Sequence, residues 1–405
     1  VNTVTEAIQG AKDIIAETIS DNAELRKTLR ELLFKKGEII TKLLDKEGNF
    51  TYEMYKDYKS PIHNLPSHRI LAINRGENEE CLKVSLDVNR ELVDKEIHGM
   101  FIKKNSPYQE LLTEVCADSY DRLIEPSIER EVRTELTDKA NEQAIKMFEV
   151  NLKPLLMQPP LKNKVILGLD PAYRTGCKIA VIDQNGNVLD TTVIYPTPPQ
   201  NKVEEAEVKL KYFIDKDKVD VISIGNGTAT KESEIFVANL IPKLDRKVEY
   251  AVVNEAGASV YSASKLGASE FPDFDVALRS AVSIARRLQD PLAELIKIDV
   301  KSIGVGQYQH DMPQARLTEV LEGVVEDCVN SVGVDVNTAS PSLLTYVAGL
   351  NSGVAKSIEK YRQENGKITN REQLKKVPKL GAKAYEQCAG FLRISDGDNI
   401  LDNTG

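Results

Sequence analysis

Residues 164–194, KVILGLDPAYRTGCKIAVIDQNGNVLDTTVI, contain three short runs of aliphatic and β-branched residues separated by two turn sequences. The first run, KVILGLD, ends in Asp170, and the runs CKIAVID and NVLDTTVIYP follow the turns PAYRTG and QNGN. Runs of this length and composition are typical of buried β-strands, and the short glycine-containing connections are typical of hairpins. The stretch therefore predicts three strands joined by two hairpin turns.

Downstream of these strands, the pattern of apolar residues alternates between helical and extended spacing. Residues 202–215, 231–244 and 275–289 have helical spacing, and the strand-like runs DVISIG (220–225) and VEYAVVNE (248–255) lie between them. Three strands followed by helix, strand, helix, strand and helix form a mixed five-stranded sheet with helices packed on it. This is the order of the ribonuclease H-like fold, which we predict for residues 161–290.

The segments on both sides of this α/β domain are mainly helical. Helical spacing covers residues 3–19, residues 22–44 (NAELRKTLRELLFKKGEIITKLL) and residues 106–152, with a break at Pro126. Between them, HRILAINR predicts a short helix and CLKVSLDV a strand. We therefore expect a multidomain, mainly α protein, with a helical region and short strand insertion at 1–160 and a helical connector at 291–340.

Two similar turns predict a tandem helix-hairpin-helix in residues 341–394. In VAGLNSGVAK (347–356) and VPKLGAKA (377–384), a tight glycine-containing turn leads directly into a helix. The first backbone N–H groups of a helix can bind a phosphate oxygen, and Lys356, Lys379 and Lys383 add positive charge. One such turn would also fit an ordinary helical hairpin, but two in tandem favour phosphate binding.

The charge of the chain is unevenly distributed. The whole chain has a formal net charge of −9, whereas residues 341–394 contain 10 Lys and Arg and 4 Asp and Glu, a balance of 10 − 4 = +6. An acidic protein repels polyanions unless positive charge is gathered locally, and this segment provides such a patch. Binding through backbone phosphates would be independent of base sequence and sensitive to salt.

A second hypothesis concerns Asp170, at the end of the first predicted strand. Ribonuclease H-like nucleases hold one of two divalent metals with a carboxylate at this position. The candidate partners are Glu255 and Asp275, but Asn226 stands where another acid is expected. An aspartate that only accepts backbone N–H bonds in a turn would occupy the same position. We therefore predict a scaffold without a cofactor, and Mg²⁺ or Mn²⁺ only if the nuclease alternative holds.

Composition excludes several other classes of protein. The five cysteines lack CxxC spacing, which argues against a zinc knuckle or a disulfide framework and favours a reducing compartment. The sequence contains no run of about 18 apolar residues and no signal peptide pattern, so we expect a cytoplasmic protein without membrane contacts. Because the chain begins with Val1 rather than Met and ends in a polar stretch, we expect it to be part of a longer protein.

The sequence resembles the bacterial Tex family of transcription accessory proteins. The resemblance is carried by LGLDPAYRTGCKIAVID, by VVNEAGASVYSASKLGASEF and the residues up to QYQHD, by VAGLNSGVAKSI, and by GAKDIIAE and PSHRILAINRGE near the start. It implies a helix-turn-helix-like region, a YqgF domain of ribonuclease H-like fold, tandem helix-hairpin-helix motifs and an S1 domain that binds RNA. RNA or DNA and the transcription machinery are the partners that it implies.

The resemblance also assigns individual residues. The YqgF carboxylate corresponds to Asp170, and the hairpin residues correspond to Gly349, Gly353, Pro378 and Gly381. An acid is lacking at Asn226, which speaks against nuclease activity. No S1-like sequence follows the hairpins, so we expect residues 395–405 to be a tail that leads to an S1 domain outside this chain.

Overall fold

The computed structural model describes residues 3–44, 49–103, 105–304, 306–395 and 397–404. The chain divides into two compact units, the first formed by residues 1–147 and 307–313 and the second by residues 148–306 and 314–405. Within the described part of the chain, no helix is both long enough and apolar enough to cross a membrane.

The first unit is mainly helical and contains one small antiparallel sheet. Its helices are α1 (Val4–Ser20), α2 (Ala23–Lys36), α3 (Ser67–Asn78), α4 (Arg90–Phe101), α5 (Gln109–Ser119) and α6 (Glu125–Leu156), the last of which continues into the second unit. Its strands are β1 (Glu38–Leu43), β2 (Lys59–Pro61) and β3 (Leu82–Asp87), in the order β2-β1-β3. Short 3₁₀ helices span Asn49–Tyr55, Ile62–Asn64 and Gln309–Asp311, and a π-helical turn at Tyr120–Ile124 joins α5 to α6.

Most of the predicted elements in this unit are confirmed, but one is wrong. Helix α1 begins after Thr3, whose side chain accepts a hydrogen bond from the Glu6 backbone N–H (3.2 Å). The helix that was expected to continue through EIITKLL instead ends at Lys36, and Glu38–Leu43 pairs with β3 over six residues. Ile39 and Thr41 are buried at every second position, which is the periodicity of a strand.

The second unit contains the predicted α/β domain. Its strands are β4 (Ile166–Asp170), β5 (Cys177–Ile182), β6 (Val188–Ile194), β7 (Val221–Gly225) and β8 (Glu249–Val253), in the order β6-β5-β4-β7-β8. Strands β4, β5 and β6 are antiparallel neighbours, whereas β7 is parallel to both β4 and β8. The predicted ribonuclease H-like order of strands is confirmed.

Helices cover both faces of this sheet. They are α7 (Val203–Asp217) and α8 (Thr230–Leu240) on one face and α11 (Val276–Gln289) on the other, while the short helices α9 (Ala258–Ala263) and α12 (Pro291–Leu295) pack beside α11 and α10 (Lys265–Glu270) packs beside α9. One face forms a buried cluster with α7 and α8, which contains Leu167, Leu169, Ile222, Leu210 and Val237. The other face packs Ile166, Ala180 and Ile182 against Ala281 and Ala285 of α11. Burial on both faces explains the nearly continuous apolar sequence of β4, β5 and β7.

The remaining elements of the second unit form a small helical assembly. They are α13 (Gln314–Val332), β9 (Val334–Asp335), α14 (Pro341–Leu344), α15 (Ser352–Asn365), α16 (Ala382–Cys388) and β10 (Leu392–Arg393), with 3₁₀ helices at Arg371–Lys376 and Ile400–Asn403. Helix α13 has an apolar stripe whose residues Leu317, Leu321, Val324, Val325 and Cys328 are buried, whereas Val332 at the end of the helix is 47% exposed. Gly333 follows with φ +76°, the conformation expected of a helix-ending glycine.

The residues after β10 are held against the rest of this assembly. Asp402 is buried and accepts a hydrogen bond from the Arg371 backbone N–H (3.0 Å), and Asp398 accepts one from the Thr369 hydroxyl (2.6 Å). Asp396 and Gly405 lie outside the described residues. Residues 397–404, which include the 3₁₀ helix Ile400–Asn403, therefore make defined contacts with the preceding residues of the unit.

Candidate functional site

The two predicted hairpins share the same backbone turn. We define hairpin 1 as residues 341–365 and hairpin 2 as residues 371–388. In each turn a leucine N–H is bonded to the carbonyl of a buried valine three residues earlier: Leu350 to Val347 (3.0 Å) and Leu380 to Val377 (3.2 Å). The residue before the leucine has positive φ in both turns, +81° at Gly349 and +69° at Lys379.

The turn of hairpin 1 packs closely against helix α16. A Cβ atom placed on Gly349 would lie 2.7 Å from the Gln387 Cβ and 3.1 Å from the Ala384 carbonyl oxygen. Positive φ and this close approach both require glycine at this position. The matching residue of hairpin 2, Lys379, has an exposed side chain, so the two turns have different surroundings.

The two hairpins also differ at the start of the second helix. Asn351 caps α15, because its side-chain oxygen accepts hydrogen bonds from the N–H groups of Gly353 and Val354 (3.0 Å each). The corresponding residue before α16 is Gly381, which has no side chain to fill this role. Asn330 of α13 holds the first turn, since its side chain accepts from Ala348 N–H (3.0 Å) and donates to the Tyr346 carbonyl (3.0 Å).

Several of the ten basic residues in 341–394 are occupied by contacts within the protein. Three arginines donate to backbone carbonyl groups: Arg362 to Val336 and Ala339, Arg371 to Leu392, and Arg393 to Val332 and Asn403. Two lysines form salt bridges, Lys360 with Glu364 (3.5 Å) and Lys375 with Glu372 (2.7 Å). These contacts stabilise the hairpins. The five side chains are therefore less available to bind a ligand.

Four exposed lysines have no salt bridge or hydrogen bond to any described residue: Lys356, Lys376, Lys379 and Lys383. Three of them are candidates from the sequence, and Lys376 is an additional one. The sequence does not predict which of the adjacent residues Lys375 and Lys376 forms a salt bridge. The choice depends on how the 3₁₀ helix orients each side chain relative to Glu372. Of the glycine candidates, Gly353 lies in the first turn of α15 and Gly381 directly precedes α16.

Asp170 and Glu255 come together at one edge of the sheet. Because β4, β7 and β8 are parallel, their carboxyl ends meet at the same edge. Burial raises the pKa of Asp170, while a hydrogen bond from Ser280 and the charge of Lys178 lower it. Burial also raises the pKa of Glu255, and the nearby Asp170 carboxylate raises it further.

Helix α11 and the loop after β7 hold Glu255 in this position. The buried Arg287 donates to the carbonyl groups of Asn254 (2.9 Å) and Ala256 (2.7 Å), on either side of Glu255 in the chain. The Asn226 side chain accepts a hydrogen bond from the Glu255 N–H (3.0 Å). A Cβ on Gly225 or Gly227 would clash with the Glu255 carboxylate, so a side chain at either position is incompatible with this arrangement.

The third acidic candidate has another role. Asp275 is exposed and caps α11 by accepting a hydrogen bond from the Leu278 N–H (2.7 Å). Among the described residues, no group of three or more His, Cys, Asp or Glu side chains is arranged to hold a metal ion. Two-metal chemistry needs several carboxylate ligands around two cations. The donor set around Asp170 and Glu255 does not meet that requirement.

The fold and the hairpins together define the class of protein: a mainly helical, multidomain chain with a ribonuclease H-like domain and a tandem helix-hairpin-helix. Comparison with known families matches three segments of the chain. Residues 1–148 match the Tex central region-like family, residues 164–289 match the Tex protein YqgF-like domain, and residues 329–393 match the helix-hairpin-helix motif. The chain belongs to the Tex family.

Similarity to individual proteins extends along the whole chain. It is 54% identical to the Bacillus subtilis protein named Uncharacterized protein YdcI, covering 100% of this chain and 57% of that protein. It is 46% identical to Protein tex of Bordetella pertussis and 44% identical to Transcriptional accessory protein Tex of Neisseria gonorrhoeae, covering 99% and 98% of this chain and 53% of each relative. The chain thus spans a little more than half the length of these relatives.

Proposed function

We propose that this chain is the nucleic-acid-binding scaffold of a transcription accessory protein and contacts RNA or DNA backbones through residues 341–394. The match to the helix-hairpin-helix motif and the name of the Neisseria gonorrhoeae relative support this proposal. A cytoplasmic location and contact with the transcription machinery are part of the same proposal. The domain boundaries drawn from the sequence, and an S1 domain after residue 405, also remain proposals.

The observation that carries the proposal is the set of four exposed lysines on the hairpins that have no partner among the described residues. A lysine without an internal partner can bind a phosphate without first breaking a salt bridge. Lysine ammonium groups act as point charges toward phosphate oxygens and do not read bases, so the contacts would be independent of sequence. The acidic remainder of the chain would repel the same ligand, which would direct it to the hairpins.

Reversing two of these charges tests the proposal. We expect Lys356→Glu/Lys383→Glu to lower affinity for mixed-sequence single-stranded RNA and for duplex DNA by about tenfold or more in low salt, because two phosphate contacts become repulsive. Fluorescence anisotropy at several salt concentrations would measure both affinity and the salt slope. Wild-type affinity should fall steeply with salt, and preference among base sequences should be unchanged.

The double variant Lys83→Glu/Lys139→Glu is the matched control. Both lysines are exposed, both lie in the first unit, and the change in net charge is identical. Affinity should fall little in this control. Equal losses in the two double variants would mean that net charge, and not the hairpins, governs binding, and salt-independent binding would reject the proposal outright.

We further propose that the Asp170 site is not catalytic. A nuclease would use Asp170 and Glu255, which lie together, but the third candidate, Asp275, is occupied as the N-cap of α11. Labelled branched and single-stranded substrates should remain intact after incubation with Mg²⁺ or Mn²⁺. If cleavage occurs in wild type and is lost in Asp170→Asn, the nuclease alternative replaces this part of the proposal.

A further inference from the structure

We infer that the two hairpins have different roles: hairpin 2 makes most of the contacts to phosphate groups, and hairpin 1 mainly supports hairpin 2. This inference rests on the proposed function, because it assigns binding within the same segment. It assigns phosphate contacts to Lys376, Lys379 and Lys383, and a structural role as the cap of α15 to Asn351.

The first line of evidence is that polar backbone groups of hairpin 1 are already bonded within the protein. Asn351 accepts from the Gly353 and Val354 N–H groups, and Asn330 accepts from the Ala348 N–H. A phosphate oxygen would have to displace these side-chain oxygens to reach the same N–H groups. Replacing an existing hydrogen bond yields much less free energy than satisfying a free donor.

The packing of the turns is the second line of evidence. At Gly349 the turn of hairpin 1 faces Gln387 and Ala384 of α16, so that side of the turn is covered by protein. The equivalent position of hairpin 2 is occupied by Lys379, with φ +69° and an exposed side chain. Left-handed backbone is costly for lysine, so a residue without functional use there would more often be glycine.

Charge gives the third and strongest line of evidence. Hairpin 1 contains three cations and two acids, whereas hairpin 2 contains five cations and two acids. Four lysines have no partner among the described residues. Three of them, Lys376, Lys379 and Lys383, belong to hairpin 2 and lie in a single stretch of eight residues. Only Lys356 belongs to hairpin 1, where Lys360 is paired with Glu364 and Arg362 is bonded to backbone carbonyls.

Two triple variants with equal loss of charge test the inference in the full 405-residue chain. Lys376→Gln/Lys379→Gln/Lys383→Gln should reduce the magnitude of the salt slope by about 2 to 3, since each lost phosphate contact removes a little less than one unit. The hairpin 1 triple variant, Lys356→Gln/Lys360→Gln/Lys367→Gln, changes two lysines of hairpin 1 and one lysine just after it, and should reduce the slope by about 1 or less. Mixed-sequence single-stranded RNA and duplex DNA serve as separate probes, and circular dichroism melting checks that both variants fold.

A variant without the side-chain cap of α15 adds an independent test. Asn351→Gly removes the side-chain cap and frees the Gly353 and Val354 N–H groups, so affinity should rise or stay unchanged. Loss of binding in Asn351→Gly at an unchanged melting temperature would instead make Asn351 a ligand contact and overturn the inference.

The failure of this inference can be separated from the failure of the proposed function. If wild type binds and the salt slope falls as much in the hairpin 1 triple variant as in the hairpin 2 triple variant, the different roles of the two hairpins are wrong. The proposal that residues 341–394 bind nucleic acid is then unaffected. If wild type binds neither probe, or neither triple variant changes the slope, the proposed function itself fails.

Discussion

At the scale of the residue, Glu255 is the most informative side chain of the α/β domain. Its carboxylate occupies the space that side chains at positions 225 and 227 would need, and it lies beside Asp170. Two acids at one sheet edge destabilise the folded state at neutral pH, because their negative charges repel each other and the surrounding donor set is insufficient to hold a metal ion. The charge of Arg287 only partly offsets this, because burial and Asp170 raise the pKa of Glu255 by more than Arg287 lowers it.

Glu255→Gln should therefore stabilise the protein at neutral pH. Burial and the charge of Asp170 raise the folded-state pKa of Glu255 above its ordinary value of 4.5, so the folded protein binds the proton more tightly than the unfolded chain. Stability consequently falls as pH rises from the ordinary value through the raised one. The melting temperature of the variant should exceed that of wild type at about pH 7, and the difference should vanish near pH 4.

Glu249→Gln is a control of opposite sign. Lys247 lowers the pKa of Glu249 through a hydrogen bond and its charge, so ionisation of Glu249 favours the folded state above its ordinary pKa. Removing that charge should slightly lower the melting temperature at neutral pH. A Glu255→Gln variant that melts lower than wild type at pH 7 would contradict the environment described for this carboxyl group.

At the scale of the element, the turn of hairpin 1 depends on Gly349. Gly349→Ala would place a Cβ in left-handed backbone and against α16, and we expect it to cost about 2 kcal/mol of unfolding free energy. Thermal and urea unfolding would measure the loss. The effect should appear without bound ligand, because it is a property of the fold.

Gly381→Ala is the matched control in hairpin 2. Gly381 has φ −72°, and a Cβ there would meet no atom within 4 Å. The expected cost is below about 1 kcal/mol, which reflects only the weaker helix-capping preference of alanine. Equal destabilisation by the two substitutions would show that the turns are equivalent in packing, contrary to the structure.

Elements also differ in how well the sequence predicts them. Strands β4, β5 and β7 are recognisable because burial on both faces leaves continuous apolar runs. Strand β1 is not, since Ile39, Ile40 and Leu43 also fit helical spacing, and pairing with β2 on one side and β3 on the other selects the extended form. Local periodicity cannot contain that information, because the two partner strands are about 20 and about 40 residues away in the chain.

At the scale of the whole molecule, the sequence predicts the order of domains and the basic segment but not which charges are available. The sequence gives residues 341–394 a net charge of +6. In the structure, however, three of their arginines and two of their lysines are already paired within the protein. The approach of Asp170 to Glu255 follows from parallel strands that end at one edge. The role of Asp275 as a helix cap does not, because a capping aspartate and a ligand aspartate look alike in sequence.

The contacts of residues 397–404 set a limit on how the binding segment can be isolated. Asp402 satisfies the Arg371 N–H, and the Thr404 and Asn403 carbonyls accept hydrogen bonds from Arg371 and Arg393. A fragment cut after Arg393 would leave these two arginines without several of their acceptors at the base of hairpin 2. The smallest fragment suited to binding measurements or crystallisation should therefore extend at least to Thr404.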